Sequence, residues 1–262
     1  MGLDSMTAQR ATQDVATAAS AVIRLSDVAK RFPDGTEALA GIDLSIAPGE
    51  FVSVVGPSGC GKSTMLRLVA GLAEPTHGSV ELGTDHIGYV FQDATLLPWR
   101  SVRSNIELFG ELRRLPKGER RRRADAAIKL VGLDGFARHR PRTLSGGMRM
   151  RVSLARSLTL QPELFLLDEP FGTLDEITRE RLNDELLRLF ISQRFAALFV
   201  THSVTEAVYL STHVIALSPR PGRVLGRFEV PFGYPRDPEL RFDSKFARIA
   251  ARVSACLRGA AR

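Results

Sequence analysis

Short apolar runs bounded by turn residues alternate with longer stretches of helical periodicity, and their order predicts most of this chain's elements. Residues 22–32 alternate loosely between apolar and polar and read as a strand. Pro33-Asp34-Gly35 turns the chain into a second strand over 38–46, which ends at Pro48-Gly49. Residues 51–55, apolar except for Ser53, and the apolar runs 164–167, 196–200 and 214–217 have the pattern of strands buried on both faces. Two shorter strands are predicted over 79–82 and 87–92, after a turn at 74–78. Between 97 and 144 the character changes to helical segments around 102–112 and 119–133. Another helix starts after Ser145-Gly146-Gly147 and runs to about 160. Leu182, Leu186, Leu189 and Phe190 share one helix face, and Phe246, Ile249, Val253 and Leu257 share another near the end. Strands alternating with helices predict a mainly parallel α/β core. No repeat of 20–50 residues is evident.

The strand at 51–55 leads directly into Gly56-Pro57-Ser58-Gly59-Cys60-Gly61-Lys62-Ser63-Thr64 and then into a helical stretch over 65–70. Strand, glycine-rich turn, Lys-Ser/Thr and helix form the context of a phosphate-binding P-loop. Without β-carbons, backbone N–H groups can close around phosphate oxygens, and the helix start adds unpaired amides and its positive dipole. In that reading Lys62 reaches the β- and γ-phosphates of a nucleoside triphosphate, and the Ser63 hydroxyl ligates magnesium.

Composition narrows the picture without redirecting it. At 262 residues the chain holds one generous α/β core or a core with a subdomain. No apolar stretch reaches the roughly 18–20 residues that cross a bilayer, so membrane association requires a partner. Residues 1–20 are small and polar, lack the apolar core of a secretory signal and are expected to form a disordered leader, with Met6 an alternative start. Two isolated cysteines, Cys60 and Cys256, suggest no disulfide framework and fit a reducing cytoplasm. The net charge is +7, concentrated around Arg113, Arg114, Lys117 and Arg120 to Arg123. That cluster reads as a solvated helix face, or as a contact for anionic lipid headgroups or an acidic partner. No aromatic-interleaved patch or reading motif accompanies it, so nucleic-acid binding is not expected.

A P-loop alone fits kinases, GTPases and motors as well. Leu166-Leu167-Asp168-Glu169-Pro170 narrows the choice. Asp168, at the end of a buried strand, can hold magnesium opposite Ser63, and Glu169 one residue later can polarise an attacking water as general base. The plainer roles are a helix cap for Asp168 and a surface carboxylate for Glu169. Twenty-three residues before Asp168 lies Leu144-Ser145-Gly146-Gly147-Met148, where Ser145 reads as an N-cap and the two glycines leave helix-start amides uncovered. This is a second anion-binding helix start.

With these motifs in place, residues 22–262 resemble the ATP-binding cassette (ABC) superfamily, whose signature is LSGGQ; Met148 stands where Gln is usual. The resemblance implies a P-loop NTPase core with an antiparallel β region near the N-terminus. It implies an ABC ATPase domain over 21–262, with a helical subdomain over about 97–160 and a tail helix over about 240–258. It implies ATP and Mg²⁺, with Gln92 and His202 near the attacking water and γ-phosphate, and Gln92 also touching the metal. Phe32 would stack on adenine, although a lone aromatic also fits a core position. Asp175 would communicate across a head-to-tail dimer, in which Ser145, Gly146 and Gly147 close over ATP held by a partner's P-loop. Ser203 stands where the family commonly has Asp after the histidine.

Residues 91–99, 144–149, 168–172, 218–223 and 235–237 look like the ATPase of nitrate/sulfonate/taurine-type bacterial importers, although the segment 82–86 is shorter than usual there. That implies a homodimer, or a pair with a similar cassette, at the cytoplasmic face of the inner membrane. Its partners would be permease subunits and a periplasmic substrate-binding protein. The cargo would be a small anion, an aliphatic sulfonate such as taurine or nitrate. The rivals are a soluble ABC ATPase acting on nucleic acid or ribosomes, and a P-loop small-molecule kinase. The former usually carries two cassettes, a coiled-coil insertion or zinc cysteines, none of which is present here.

Overall fold

The computed structural model describes residues 21–260; the leader expected over 1–20 and the alternative start at Met6 lie outside the described residues. Nine strands form two sheets among those residues. Strands β1 (Ile23–Arg31), β2 (Glu37–Ile46) and β4 (His77–Leu82) make an antiparallel sheet in the order β2-β1-β4. Strands β3 (Phe51–Val55), β5 (Ile87–Val90), β6 (Leu164–Asp168), β7 (Ala196–Thr201), β8 (His213–Leu217) and β9 (Val224–Glu229) make the second, in the order β5-β6-β7-β3-β8-β9. Its first five strands are parallel and β9 is antiparallel to β8.

The central strands β3, β6, β7 and β8 are buried on both faces because nearly all their residues are apolar, and the alternation of side chains feeds two cores. Val52, Val54, Leu164, Leu166, Leu198 and Val200 point into one core. There helix α1 (Lys62–Val69) supplies Met65, Leu66, Leu68 and Val69, and the antiparallel sheet supplies Ile23, Leu39 and Ile42. α1 is therefore held between the two sheets with its start at the C-terminal end of β3, and truncating Leu66 to Ala would cost about 2–5 kcal/mol. Phe51, Phe165, Leu167 and Phe199 face the other core.

That second core is closed by the helices. α2 (Val102–Ile106), α3 (Leu108–Leu112) and α4 (Lys117–Leu130) precede α5 (Gly146–Leu158). Then come α6 (Glu176–Gln193), α7 (Val204–Leu210) and α8 (Ser244–Gly259). The helix expected over 102–112 is two short helices meeting at Glu107, and the two short strands expected after α1 join different sheets. β9 was not anticipated: it is an edge strand, mostly exposed, and lacks a continuous apolar run.

Candidate active site

The turn between β3 and α1 is fixed by close packing. Gly61 has φ 104°, and a β-carbon there would sit 2.6 Å from the Ala38 carbonyl oxygen and 2.7 Å from Leu39 Cδ2. Only glycine lets β2 pass this close. α1 begins without a side-chain cap, so its first amides stay open to a ligand. The parallel strands β6 and β7 end beside it and deliver Asp168, Glu169 and His202 to the same place.

Lys62 is buried, and its ammonium donates to the carbonyls of Gly56 (2.9 Å) and Pro57 (3.0 Å) while lying 3.4 Å from Glu169 Oε1. The Ser63 hydroxyl donates to Asp168 Oδ1 at 2.8 Å. His202 Nδ1 lies 2.9 Å from Glu169 Oε2, where the tautomer with its proton on Nδ1 donates to the carboxylate oxygen. Glu169 is thus held between Lys62 and His202. It sits in the left-handed region at φ 44°, which turns its side chain away from the strand ladder. Burial pushes the Asp168 carboxyl above its usual range, opposed by the Ser63 hydrogen bond.

A cleft of about 260 Å³ gathers Phe32, Ser58, Gly59, Gly61, Lys62, Ser63, Thr64, Gln92 and Glu169. Phe32 is half-buried at its mouth with the Lys30 ammonium over the ring, so it is not a core residue. Gln92 is exposed, two residues beyond the end of β5. A larger cleft of about 520 Å³, lined by residues such as Val22, Pro162 and Glu163, contains none of these groups.

Ser145, Gly146, Gly147 and Asp175 form a second group. Ser145 caps α5, its hydroxyl accepting the Met148 N–H at 3.2 Å. Asp175 caps α6, accepting from Thr178, and those bonds hold its carboxyl below the usual range. The two caps adjoin: β-carbons on Gly146 and Gly147 would lie 3.1 Å from Leu174 Cδ2 and 3.0 Å from Thr178 Cγ2. None of the four lines the P-loop cleft.

Two contributions escaped the sequence reading. Tyr89 places its hydroxyl 3.5 Å from Asp168 Oδ2, and burial with the nearby Asp168 charge raises its pKa far above the ordinary value. Arg156 of α5, buried, donates to the Ala94 and Thr95 carbonyls, tying the loop after Gln92 to the helix that Ser145 begins. Sequence spacing carries no signal for Tyr89. An arginine on the buried face of α5 was the available sign of Arg156.

Comparison with known proteins bears on the family and the fold. The sequence model of the ABC transporter family matches residues 39–172. The nitrate import ATP-binding protein NrtD of Synechococcus elongatus is 41% identical over 249 residues, covering 89% of this chain and 90% of that protein. The aliphatic sulfonates import ATP-binding protein SsuB 2 of Burkholderia lata is 44% identical over 247 residues, covering 90% and 88%. Among solved structures, the dimeric post-hydrolysis form of the ATP-binding cassette MJ0796 with ADP and phosphate matches with a TM-score of 0.71. It is 32% identical and covers 80% of this chain and all of that one. An α/β fold with a P-loop between β3 and α1, together with relatives of this similarity, establishes that the chain belongs to the ABC transporter family and carries its ATPase cassette.

Proposed function

We propose that the chain is the ATP-hydrolysing subunit of a bacterial importer for a small anion, an aliphatic sulfonate such as taurine or nitrate. It works as a head-to-tail dimer on the cytoplasmic side of permease subunits fed by a periplasmic binding protein. The observation that carries this reading is the pair of contact chains Ser63–Asp168 and Lys62–Glu169–His202, of which Lys62, Ser63 and Glu169 line one cleft. Relatives named for nitrate and sulfonate import, at 41% and 44% identity, support the cargo class. No described helix is long and apolar enough to cross a membrane, and in this proposal the membrane path is supplied by the permease subunits.

In the reaction, Lys62 exchanges its loop carbonyls for the β- and γ-phosphates and neutralises their charge. Glu169 takes the proton of a water in line with the γ-phosphorus, and His202 holds that carboxylate through Nδ1. Gln92 orients the same water from the cleft wall. Ser145 of the partner subunit and the following glycine amides cover the γ-phosphate from the other side. Ser63 and Asp168 suit Mg²⁺: a hydroxyl and a carboxylate already converge at 2.8 Å, and no larger His/Cys/Asp/Glu cluster exists among the described residues. The ion, when bound, supplies further neutralisation of phosphate charge.

Uptake of labelled taurine and nitrate by a strain lacking this gene tests the cargo. Loss of either uptake, restored by the wild-type gene, is expected. Full uptake of both would overturn the assignment.

A further inference from the structure

The loop between β8 and β9 has no role in the scheme above, yet it is built against the P-loop. Gly222 donates to the Ala38 carbonyl (2.9 Å) and accepts from Ala40 (3.0 Å), bonding the loop to β2. A β-carbon on Gly222 would sit 2.3 Å from the Cys60 carbonyl oxygen, so the loop touches the phosphate-binding turn itself. Ser218 stiffens it by accepting the Arg223 N–H at 2.9 Å.

On this support stands Arg220, an exposed residue that lines the same cleft as Phe32, Lys62 and Ser63. Its Nε donates to the Gly59 carbonyl at 3.1 Å. That bond is the guanidinium's one hydrogen bond among the described residues, so both terminal nitrogens remain available to a ligand. Hydrogen bonds from Thr36 hold the Asp34 carboxyl below its usual range, and the charge of Arg220 adds to the effect. Arg220 therefore stands between the turn after Phe32 and the P-loop at Gly59. Phe32 marks the base end of the cleft, and Lys62, Asp168 and Glu169 mark the γ end. The part of a nucleoside triphosphate lying between those ends is its α-phosphate and ribose.

We infer that Arg220 is a nucleotide-binding residue whose guanidinium, braced on Gly59, pairs with the α-phosphate. The inference rests on the cleft being the nucleotide site. A fixed guanidinium is suited to the task because it presents parallel N–H donors to two phosphate oxygens while keeping a third bond for positioning. The ribose side of the nucleotide would then be held by a segment some 160 residues from the P-loop, and release of the loop would loosen ATP and ADP alike.

The test is displacement of a fluorescent nucleotide by ATP and by ADP, for the wild type, Arg220→Lys, Arg220→Gln and Lys62→Ala. Arg220→Gln keeps an N–H that reaches Gly59 but removes the charge. It is expected to weaken both ATP and ADP about tenfold, with a flatter dependence on salt, and Arg220→Lys is expected to recover part of the loss. Wild-type affinity for both nucleotides in Arg220→Gln overturns the inference and leaves the arginine a loop staple. A loss confined to ATP also overturns it, because the contact would then be at the γ-phosphate. If Lys62→Ala binds as the wild type does, the cleft is not the nucleotide site, and the failure lies with the proposed function instead.

Discussion

The molecule has two glycine-flanked helix starts, and they are furnished in opposite ways. The start of α1 has no side-chain cap; Lys62, Ser63 and Glu169 line a cleft around it, and Asp168 accepts the Ser63 hydroxyl. At the start of α5, Ser145 is exposed and caps the helix while Gly147 is buried; the neighbours are the uncharged Leu174 and Thr178 and the guanidinium of Arg149, which donates to the Leu144 carbonyl. One end holds every acid, base and cation of the proposed reaction; the other offers a hydroxyl and amides. The bare end has no use for a phosphate inside its own subunit, since it shares no cleft with the P-loop. In the proposed head-to-tail dimer it would become a site when another copy presents the missing half.

The largest effect should come from the furnished end. Glu169→Gln keeps the size of the side chain and its hydrogen-bonding reach but cannot take a proton. Turnover is expected to fall by about 10²–10⁴, the range ascribed to a positioned general base. ATP binding should survive, and the variant should elute as an ATP-loaded dimer while the wild-type rate per molecule rises with protein concentration. Normal turnover would remove Glu169 from the mechanism. A strictly monomeric protein with a concentration-independent rate would dissolve the distinction between the two helix starts.

A smaller effect should come from the bare end. Asp caps a helix about as well as Ser, so Ser145→Asp should leave the melting temperature almost unchanged. The same carboxylate would face a triphosphate held by the partner. Turnover should drop roughly tenfold, while ATP affinity measured on dilute monomer stays at the wild-type value. A parallel loss of monomer affinity would mean that α5 serves the P-loop of its own chain.

The two starts also differ in how far they could be read from sequence. For α1, strand, loop and helix are contiguous, so residues 51–70 contain both the motif and the context that positions it. Asp168, Glu169 and His202 were legible because parallel strands deliver their C-terminal ends to one edge, and each residue closes a buried apolar run. What escaped depends on contacts without local pattern. Arg220 meets Gly59 across 161 positions. Tyr89 looks like an ordinary strand residue until β5 is placed beside β6. The break at Glu107 leaves apolar spacing on both sides intact, so periodicity alone read one helix. Phe32 was ambiguous in sequence because stacking and burial ask for the same side chain; its half-exposed place at the cleft mouth is a property of the fold.

Helix α6 spans the two regions, and its buried partner Glu206 gives the smallest and most selective test. Near the N-terminus of α6, Thr178 packs over Gly147; further along, Asn183 and Arg179 lie near Glu206, which accepts from Thr201 next to His202. Glu206 is 6% exposed, and neither its Oε1 nor Asn183 Oδ1 has a hydrogen-bond partner. Burial pushes its carboxyl above the ordinary value of 4.5, opposed by the Thr201 hydrogen bond. The folded protein therefore holds this proton more tightly than the unfolded chain does. Its contribution favours folding below about pH 4.5 and is lost as pH rises through the folded value. Glu206→Gln keeps the acceptor for Thr201, carries no charge, and can turn its amide N–H toward Asn183. The variant should melt a few degrees higher than the wild type at pH 8, on the scale of about 1 kcal/mol for a chain of this size, and the gap should close as pH falls toward 4.5. A gap that is constant with pH would show that Glu206 is neutral throughout, and that the brace between His202 and α6 is an ordinary hydrogen bond.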